Sequence, residues 1–584
     1  MSKFLITNVK VLGRSCRNNV EHSKFTLNYV FEKEGLYALT TRKLGVQNEN
    51  AYQEGDDFVI INGTLLYDGL SGVACLKKLL IEFNGDINLV REKCIGNYAI
   101  CIKKGGVISV FGEAAACYDI FYYHNGEMWA ISSSISELAK ILWDKLTINK
   151  LNVLEAYARY AILNNETFFN EIYRLPGNNT ITINKNVFEI HKVETPFKDG
   201  SDYDSTLAAI TRDMKSVAKT LSDNYGAPTI SMTGGMDSRM SLASYLAAGV
   251  KPRIVYGLGD SSIAVSGNND CNVDRLYSEK FGLEFEVYPW NETRPLDKFW
   301  HQYVEDYDEG TITYGGNKDT IDYFFDPKSS FCEYGFWGEF YRDAGWLLTK
   351  NDEDHVTIEE FAEKWYLKSM EENVIEKYPG LKQHIVGKLY KVCENHGMNP
   401  MQLTTSDLIL LALNYYQRAH GLILNFVNRY KYCHYVMSES CIVFNTNVSC
   451  TNRKKGKLIL DILMNLYPKV LEVPIYSGWK YYKFNRDTKT IELDTRNAKG
   501  IILKYVPKKW FEFVYRLIKY RTMPDEFVAL LNKPDYQDIV RDYLPDELLN
   551  DLKANKRDNS PFVVRLLIQG LLFKHWSSFK ALTD

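Results

Sequence analysis

The chain has no basic block. Its 70 Lys and Arg are offset by 73 Asp and Glu, for a formal net charge of -3, and pairs such as Lys508-Lys509 are short. Holding a phosphodiester backbone takes clustered cations, so nucleic acid is excluded as the main partner. No Cys-x-x-Cys and no Cys/His zinc spacing occurs among the 11 cysteines and 10 histidines. That odd cysteine count fits reduced thiols in a cytoplasm better than a disulfide framework or a metal site. No stretch approaches the ~20 uninterrupted apolar residues of a membrane-spanning helix, and the longest runs, Leu408–Leu413 and Leu566–Phe573, read as core helices. Met1 to Gly13 lack the charged, apolar and small-residue succession of a secretory signal, so a soluble cytoplasmic protein is expected. Internal repeats and low-complexity tracts are missing too. There is no Gly-x-x-x-x-Gly-Lys-Ser/Thr loop, and no third glycine completes a dinucleotide fingerprint. What remains is 584 residues at 45% hydrophobic content, enough core for three or four globular domains.

The most informative stretch is Thr229-Ile-Ser-Met-Thr-Gly-Gly-Met-Asp-Ser-Arg-Met-Ser241. Ile230 to Met232 favour a strand, Gly234 and Gly235 permit a tight turn with close approach of a ligand, and Asp237-Ser238 falls where a helix would be capped. A helix N-terminus behind such a turn attracts anions through its unpaired N–H groups and its dipole. Thr233 and Ser238 add hydroxyls, and Asp237 is a candidate magnesium ligand. A plain βα turn would need the same two glycines, so the surroundings matter. Arg239 to Leu246 reads as a helix ending near Gly249, and Pro252 to Gly259 as a second strand. Asn269 to Phe281 reads as a helix with Val273, Leu276, Tyr277 and Phe281 on one face, stopped by Gly282, and Leu283 to Tyr288 as a third strand. This βαβαβ order predicts a parallel sheet, with the glycine turn and the Tyr256-Gly257 strand end facing one crevice at the carboxyl edge.

Thr233-Gly-Gly-Met-Asp-Ser238 resembles the Ser-Gly-Gly-x-Asp-Ser loop of ATP pyrophosphatases of the asparagine synthetase type, with threonine for the first serine. The resemblance implies an adenine nucleotide α-hydrolase-like domain in which Met232, Thr233, Gly234, Gly235, Asp237 and Ser238 hold ATP and adenine lies against Tyr256 and Gly257. Gly335-Phe-Trp-Gly-Glu339 is similar to a divergent form of the family's Gly-x-Gly-x-Asp-Glu segment. Glu339 would then join Asp237 in holding magnesium, although a surface carboxylate in an aromatic turn is an equal reading. The layout from Asn414 to Lys480 is similar to the family's C-terminal half. There Lys480 and Arg418 are the candidates for stabilising charge developed on triphosphate and oxyanion. Tyr476 stands where relatives carry a lysine, and Arg453 and Lys457 are alternative phosphate partners. Each of these cations taken singly also fits a solvated helix face.

Upstream, Val59 to Asp68, Gly96 to Ile102, Tyr118 to Tyr123 and Trp129 to Ser133 read as short strands between Gly and Asn turns, predicting a two-sheet β-rich domain. Their order resembles the glutamine amidotransferase domain, of Ntn-hydrolase type, that precedes the synthetase domain in asparagine synthetases. The N-terminal cysteine nucleophile of such domains has no counterpart in Met1-Ser2-Lys3. Cys16 cannot replace it, since its amine is locked in a peptide bond, and Ser2 would be a far weaker nucleophile. The expected organisation is a glutaminase-like α+β sandwich over residues 1–195, a parallel-sheet α/β ATP pyrophosphatase domain over 205–483, and a helical extension over 484–584. Trp510 to Ile518 and Val563 to Leu572 belong to that extension, either as added core or as a recognition surface. The resemblance implies an ATP- and magnesium-dependent ligase joining a small-molecule or peptide carboxylate to an amine, as β-lactam synthetases and lasso-peptide cyclases do. Relatives also serve surface-polysaccharide pathways, and a homo-oligomer or a pathway partner is compatible. Asparagine synthesis from ammonia or glutamine is the alternative within enzymes, and a catalytically idle nucleotide-binding scaffold is the alternative outside them.

Overall fold

A computed structural model describes residues 3–23, 25–33, 35–194, 197–198, 200–258, 269–289, 328–368, 370, 374–477, 480–494, 538, 541–545 and 561–579. The chain opens with β1 (Phe4–Thr7), α1 (Lys10–Glu21), β2 (Leu27–Lys33), β3 (Leu36–Thr41), β4 (Ala51–Glu54), β5 (Asp57–Gly63) and β6 (Leu66–Tyr67). Then come α2 (Gly72–Glu82), α3 (Ile87–Lys93), β7 (Cys94–Ile95), β8 (Tyr98–Lys104), β9 (Val107–Gly112), β10 (Phe121–His124) and β11 (Trp129–Ser132). The region closes with α4 (Ile135–Leu142), α5 (Lys150–Arg159), β12 (Ile172–Arg174), β13 (Asn179–Asn184) and β14 (Val187–Lys192). Twelve of these strands form two six-stranded antiparallel sheets, ordered β12-β10-β11-β1-β3-β2 and β14-β13-β9-β8-β5-β4, and β6 pairs with β7 apart from them. The two-residue period of a strand assigns the faces. Phe58 and Ile60 of β5 join the core shared by both sheets, whereas Val59 and Ile61 pack with Leu76, Leu79 and Leu80 of α2. Helices α1 and α4 cover the other sheet, making a helix–sheet–sheet–helix sandwich.

A second unit starts at α6 (Tyr203–Tyr225), where the Asp202 side chain accepts the Ser205 N–H at 3.1 Å as an N-cap. Next are β15 (Thr229–Ser231), α7 (Asp237–Ala247), β16 (Arg253–Leu258), α8 (Asn269–Phe281), β17 (Phe285–Pro289), β18 (Phe331–Tyr334) and β19 (Tyr432–His434). All five strands run parallel in the order β17-β16-β15-β18-β19. The chain steps outward from β15 in one direction, then crosses back to β18 on its other side. The crevice between β15 and β18 is therefore a topological switch point, at the carboxyl edge where ligands bind in such sheets.

Two local expectations are corrected. Helix α7 begins at Asp237 with Met236 at the cap and no side-chain cap bond, so Asp237 and Ser238 stand inside its first turn. In α8, Val273 and Tyr277 are fully buried but Leu276 is 42% exposed. At about 100° per residue, Val273, Asp274 and Tyr277 share one arc and Leu276 falls outside it, so the inward place goes to a carboxylate. Gly282 ends α8 at φ +62°, a value glycine adopts freely.

Between β18 and β19 the described residues form several helices, Pro379–His396 among them. Leu408 to Leu413 lie in the Thr405–Val427 helix, with Leu408, Leu411 and Leu413 buried. Past it, β20 (Ile475–Ser477), β21 (Lys480–Asn485) and β22 (Thr490–Leu493) form an antiparallel sheet, so strand structure continues across residue 483. The Pro561–Ser577 helix returns to the N-terminal sandwich: Phe573 packs on Trp143 and Phe168, and Trp576 on Phe169. Gly259, Trp510–Ile518 and Met1-Ser2 lie outside the described residues. All 11 cysteines are free, and no described helix is long and apolar enough to cross a membrane.

Candidate functional site

The loop Met232–Met236 leaves the carboxyl end of β15 and enters α7. Met232 still belongs to the sheet edge, its N–H donating to Val255 O at 3.0 Å. Ser238 then folds back on the turn: its Oγ donates to Thr233 O at 3.0 Å and accepts the Thr233 N–H at 3.1 Å. The two hydroxyls lie 3.1 Å apart, and the Gly235 N–H reaches Thr233 Oγ1 at 3.4 Å. Thr233 and Ser238 thus act together as the brace of the turn.

Only glycine fits at Gly234, where a Cβ would lie 2.8 Å from Tyr476 Cβ and 2.9 Å from Asp270 Oδ1. The first clash arises because β20 is tied over the loop, Tyr476 N–H donating to Gly234 O at 3.0 Å. The second arises because Asp270, in the first turn of α8, accepts the Gly234 N–H at 2.7 Å. Burial pushes the Asp270 carboxyl up and the bond from Gly234 draws it back down. A carboxylate of the chain therefore sits on one of the donors that an anion would use. Fully buried Arg239 fixes the segment that leads into β20 by donating to Val470 O, Val473 O and Pro474 O at 2.9, 2.7 and 2.8 Å.

Across the switch point, β18 leads into the Gly335–Glu339 turn, which is pressed directly against α7. A Cβ on Gly335 would overlap Ser238 Cα and N, and one on Gly338 would overlap the Asp237 carboxylate. Both glycines of this segment are thus needed for contact with the loop. Between them Trp337 is held at φ +77°, strained for an aromatic residue, with its ring fully buried. The turn brings Glu339 to Asp237. Burial pushes the Asp237 carboxyl up, and the Glu339 charge adds to that push; Arg342 and His420 oppose it. Glu339 is likewise raised by burial and drawn down by Arg342.

Arg342 bridges the pair. Its Nε and Nη2 donate to Asp237 Oδ1 and Oδ2 at 3.3 and 3.0 Å, and Nη2 stands 3.7 Å from Glu339 Oε1. Glu339 Oε2 is buried with no hydrogen-bond partner among the described residues. An orphaned carboxylate oxygen beside a second carboxylate suits a divalent cation, so these residues fit magnesium as two protein ligands. Among the described residues no group of three or more Asp, Glu, His or Cys converges as a metal site, which leaves the remaining positions to phosphate or water. An aromatic wall stands beside the pair. Phe336 packs on His420 and Tyr435 with ring centroids 4.6 and 5.2 Å apart, and Tyr416 packs on His420 at 5.1 Å. Burial lowers His420 to about 4, against the opposing pull of Asp237, and its Nδ1 is buried without a partner.

The structure therefore gathers Thr233, Gly234, Gly235, Asp237, Ser238 and Glu339, with Met232 at the loop base. Tyr256 and Gly257 lie half-buried in the last part of β16, on the neighbouring strand. Lys480 opens β21 and pairs with Ser477, on the strand next to the one that touches Gly234. Arg418 points elsewhere: its Nη2 donates to Asn164 O at 2.6 Å, tying the two units together. Arg453 is fully buried on Phe340 O and Thr446 O, and Lys457 pairs with Asp461 at 3.2 Å. Arg342, Asp270 and His420 carry no motif that marks them in the sequence. Arg342 falls three residues after Glu339, a spacing that on a helical turn carries it back to the same side, which is the local signal the sequence holds for it.

In the N-terminal unit, Lys3 is buried against Glu137 at 2.7 Å. Cys16 lies 3.7 Å from the other oxygen of that carboxylate, with burial pushing its thiol well up.

No protein-family model matches the chain, and no curated protein matches it. Among solved structures it is similar to a glutamine phosphoribosylpyrophosphate (PRPP) amidotransferase from B. subtilis complexed with ADP and GMP, at 9% identity and a TM-score of 0.22 over 49% of this chain. It is also similar to a structure described as the allosteric regulatory enzyme of purine biosynthesis, at 9% identity and a TM-score of 0.24 over 49% of this chain. The match spans 65% of the length of each of those chains.

Proposed function

We propose that the chain is an ATP- and magnesium-dependent carbon–nitrogen ligase, asparagine synthetase-like, that adenylates a carboxylate, releases pyrophosphate and lets an amine displace AMP. In this reading the N-terminal sandwich is a glutaminase-like domain kept as scaffold. The carboxylate and amine belong to a peptide, a natural product or a surface polysaccharide. The observation that carries the reading is the meeting, at one switch point, of the Thr233–Ser238 turn, the start of α7 and the Asp237–Glu339 pair.

Each part has a task in such a reaction. The Gly235 N–H and the first turn of α7 would bind phosphate oxygens, with the Thr233–Ser238 brace fixing their direction. Asp237 and Glu339 would hold magnesium, which when bound neutralises charge on the triphosphate. Tyr256 and Gly257 would flank adenine. The wall of Phe336, Tyr416 and His420 would shield the activated acyl carbon from water, so that the amine rather than water attacks. Lys480 is the candidate for the developing oxyanion.

The test is to measure AMP and pyrophosphate from the purified full chain with ATP and magnesium. The acceptor conditions are aspartate plus ammonia, aspartate plus glutamine, and an extract of the source cells. AMP that depends on extract but not on aspartate supports the specialised ligase; an aspartate response means asparagine synthesis. A catalytically idle nucleotide-binding scaffold is the second reading, favoured by the departure of the Gly335–Glu339 segment from the Gly-x-Gly-x-Asp-Glu pattern. Bound nucleotide with no AMP under any condition selects it.

A further inference from the structure

We propose that Arg342 is an exchangeable counter-ion: its guanidinium holds the place between Asp237 and Glu339 while no metal is bound there, and yields that place to a divalent cation. The inference rests on the reading of these carboxylates as a metal–nucleotide site.

The geometry separates Arg342 from the structural arginines of the same unit. Arg239 and Arg453 are fully buried and spend their donors on backbone carbonyls, which cannot be exchanged without opening the fold. The Arg342 side chain is 36% exposed and donates to a carboxylate. It follows the short Gly338–Tyr341 turn in extended backbone, φ -144° and ψ 173°, outside any long helix or sheet that would fix it. Its grip is also incomplete. The fork engages Asp237 with two donors, but Glu339 is left at 3.7 Å, beyond hydrogen-bond range, with Oε2 orphaned. A dication binds two carboxylates more strongly than one guanidinium can, because its charge is double and its radius smaller. Once displaced, a tethered guanidinium at this distance can form forked bonds with phosphate oxygens.

The test is a manganese titration of the full chain without nucleotide, reading free Mn2+ by electron paramagnetic resonance. The variants are wild type, Arg342→Gln, Arg342→Lys and the double variant Arg342→Gln/Glu339→Gln. Removing the resident cation should tighten Mn2+ binding at least tenfold in Arg342→Gln. Arg342→Lys, which keeps the charge but loses the fork, should fall between it and wild type. The double variant should lose the gain. Equal or weaker binding by Arg342→Gln, or a gain that survives loss of Glu339, overturns the proposal. Circular dichroism checks that each variant is folded. Should Arg342→Gln fail to fold, Arg342→Lys decides alone, binding no tighter than wild type overturning the proposal. Because no nucleotide is present, a failure here is distinct from a failure to bind ATP, which would instead remove the ligase reading.

Discussion

Glu333 and Glu339 stand on one short segment, each paired with a second carboxylate across a cationic side chain, yet the two clusters are completed in opposite ways. Glu333, at the end of β18, is fully buried and saturated. It accepts from Tyr245 OH at 3.0 Å, from the Val436 N–H at 2.9 Å and from His434 Nδ1 at 3.1 Å. His434 Nε2 reaches Glu439 at 2.7 Å, and Glu439 in turn accepts the Gly96 N–H of the N-terminal sandwich at 2.6 Å. Glu339 stays partly exposed, holds its cation loosely and keeps an orphaned oxygen. Buried charge is tolerated where every lone pair is used, and an unfinished charged cluster at a crevice is where a ligand can still gain by binding. The first cluster ties α7, β18, β19 and the sandwich together; the second faces the loop.

That contrast can be broken by separating activity from stability. If the proposed ligase reading holds, Asp237→Asn should lower AMP formation by on the order of a hundredfold or more, since it removes one of the two carboxylates proposed to hold magnesium, while the denaturation midpoint changes little. A large loss of stability without loss of turnover would reverse the two assignments. His434→Leu should do the opposite. Removing the shared cation strands two buried carboxylates and should cost about 3–5 kcal/mol, read by urea unfolding.

The smallest effect is on pH. Burial alone would lower His434, but the hydrogen bonds that its ring N–H groups donate to Glu333 and Glu439 outweigh it and raise the imidazole from its ordinary 6.5 to about 9. The folded value exceeds the unfolded one, so this stabilisation is complete below about pH 6.5 and fades as pH rises through 9. Wild type should lose stability over that interval, and His434→Leu should not show this component. An unchanged slope in the variant would mean that other groups carry it.

Local chemistry made much of this legible. The strand, glycine turn and helix around Thr233–Ser238 follow from residue types within a dozen positions, and α8 runs over the residues its periodicity marked, ending at Gly282. Hydrophobicity alone marks Leu276 as inward, whereas the inward arc of α8 contains Asp274. Residue type alone makes Ser238 a cap, but its hydroxyl is committed to Thr233, so α7 starts earlier than the residue types suggest. The Pro561–Ser577 helix is plainly apolar in sequence, but nothing in it names the sandwich as its partner.

The sequence by itself determined the parallel βαβαβ unit, the glycine loop at its carboxyl edge and a two-sheet N-terminal region, because periodicity and turn chemistry act over a few residues. Tertiary structure alone decided what fills the loop's surroundings: Asp270 on the Gly234 N–H, Tyr476 over the turn, Gly338 against Asp237 and Arg342 between the carboxylates. Those contacts join segments far apart in the chain, and their energies depend on distance and burial, which exist only once the chain has folded.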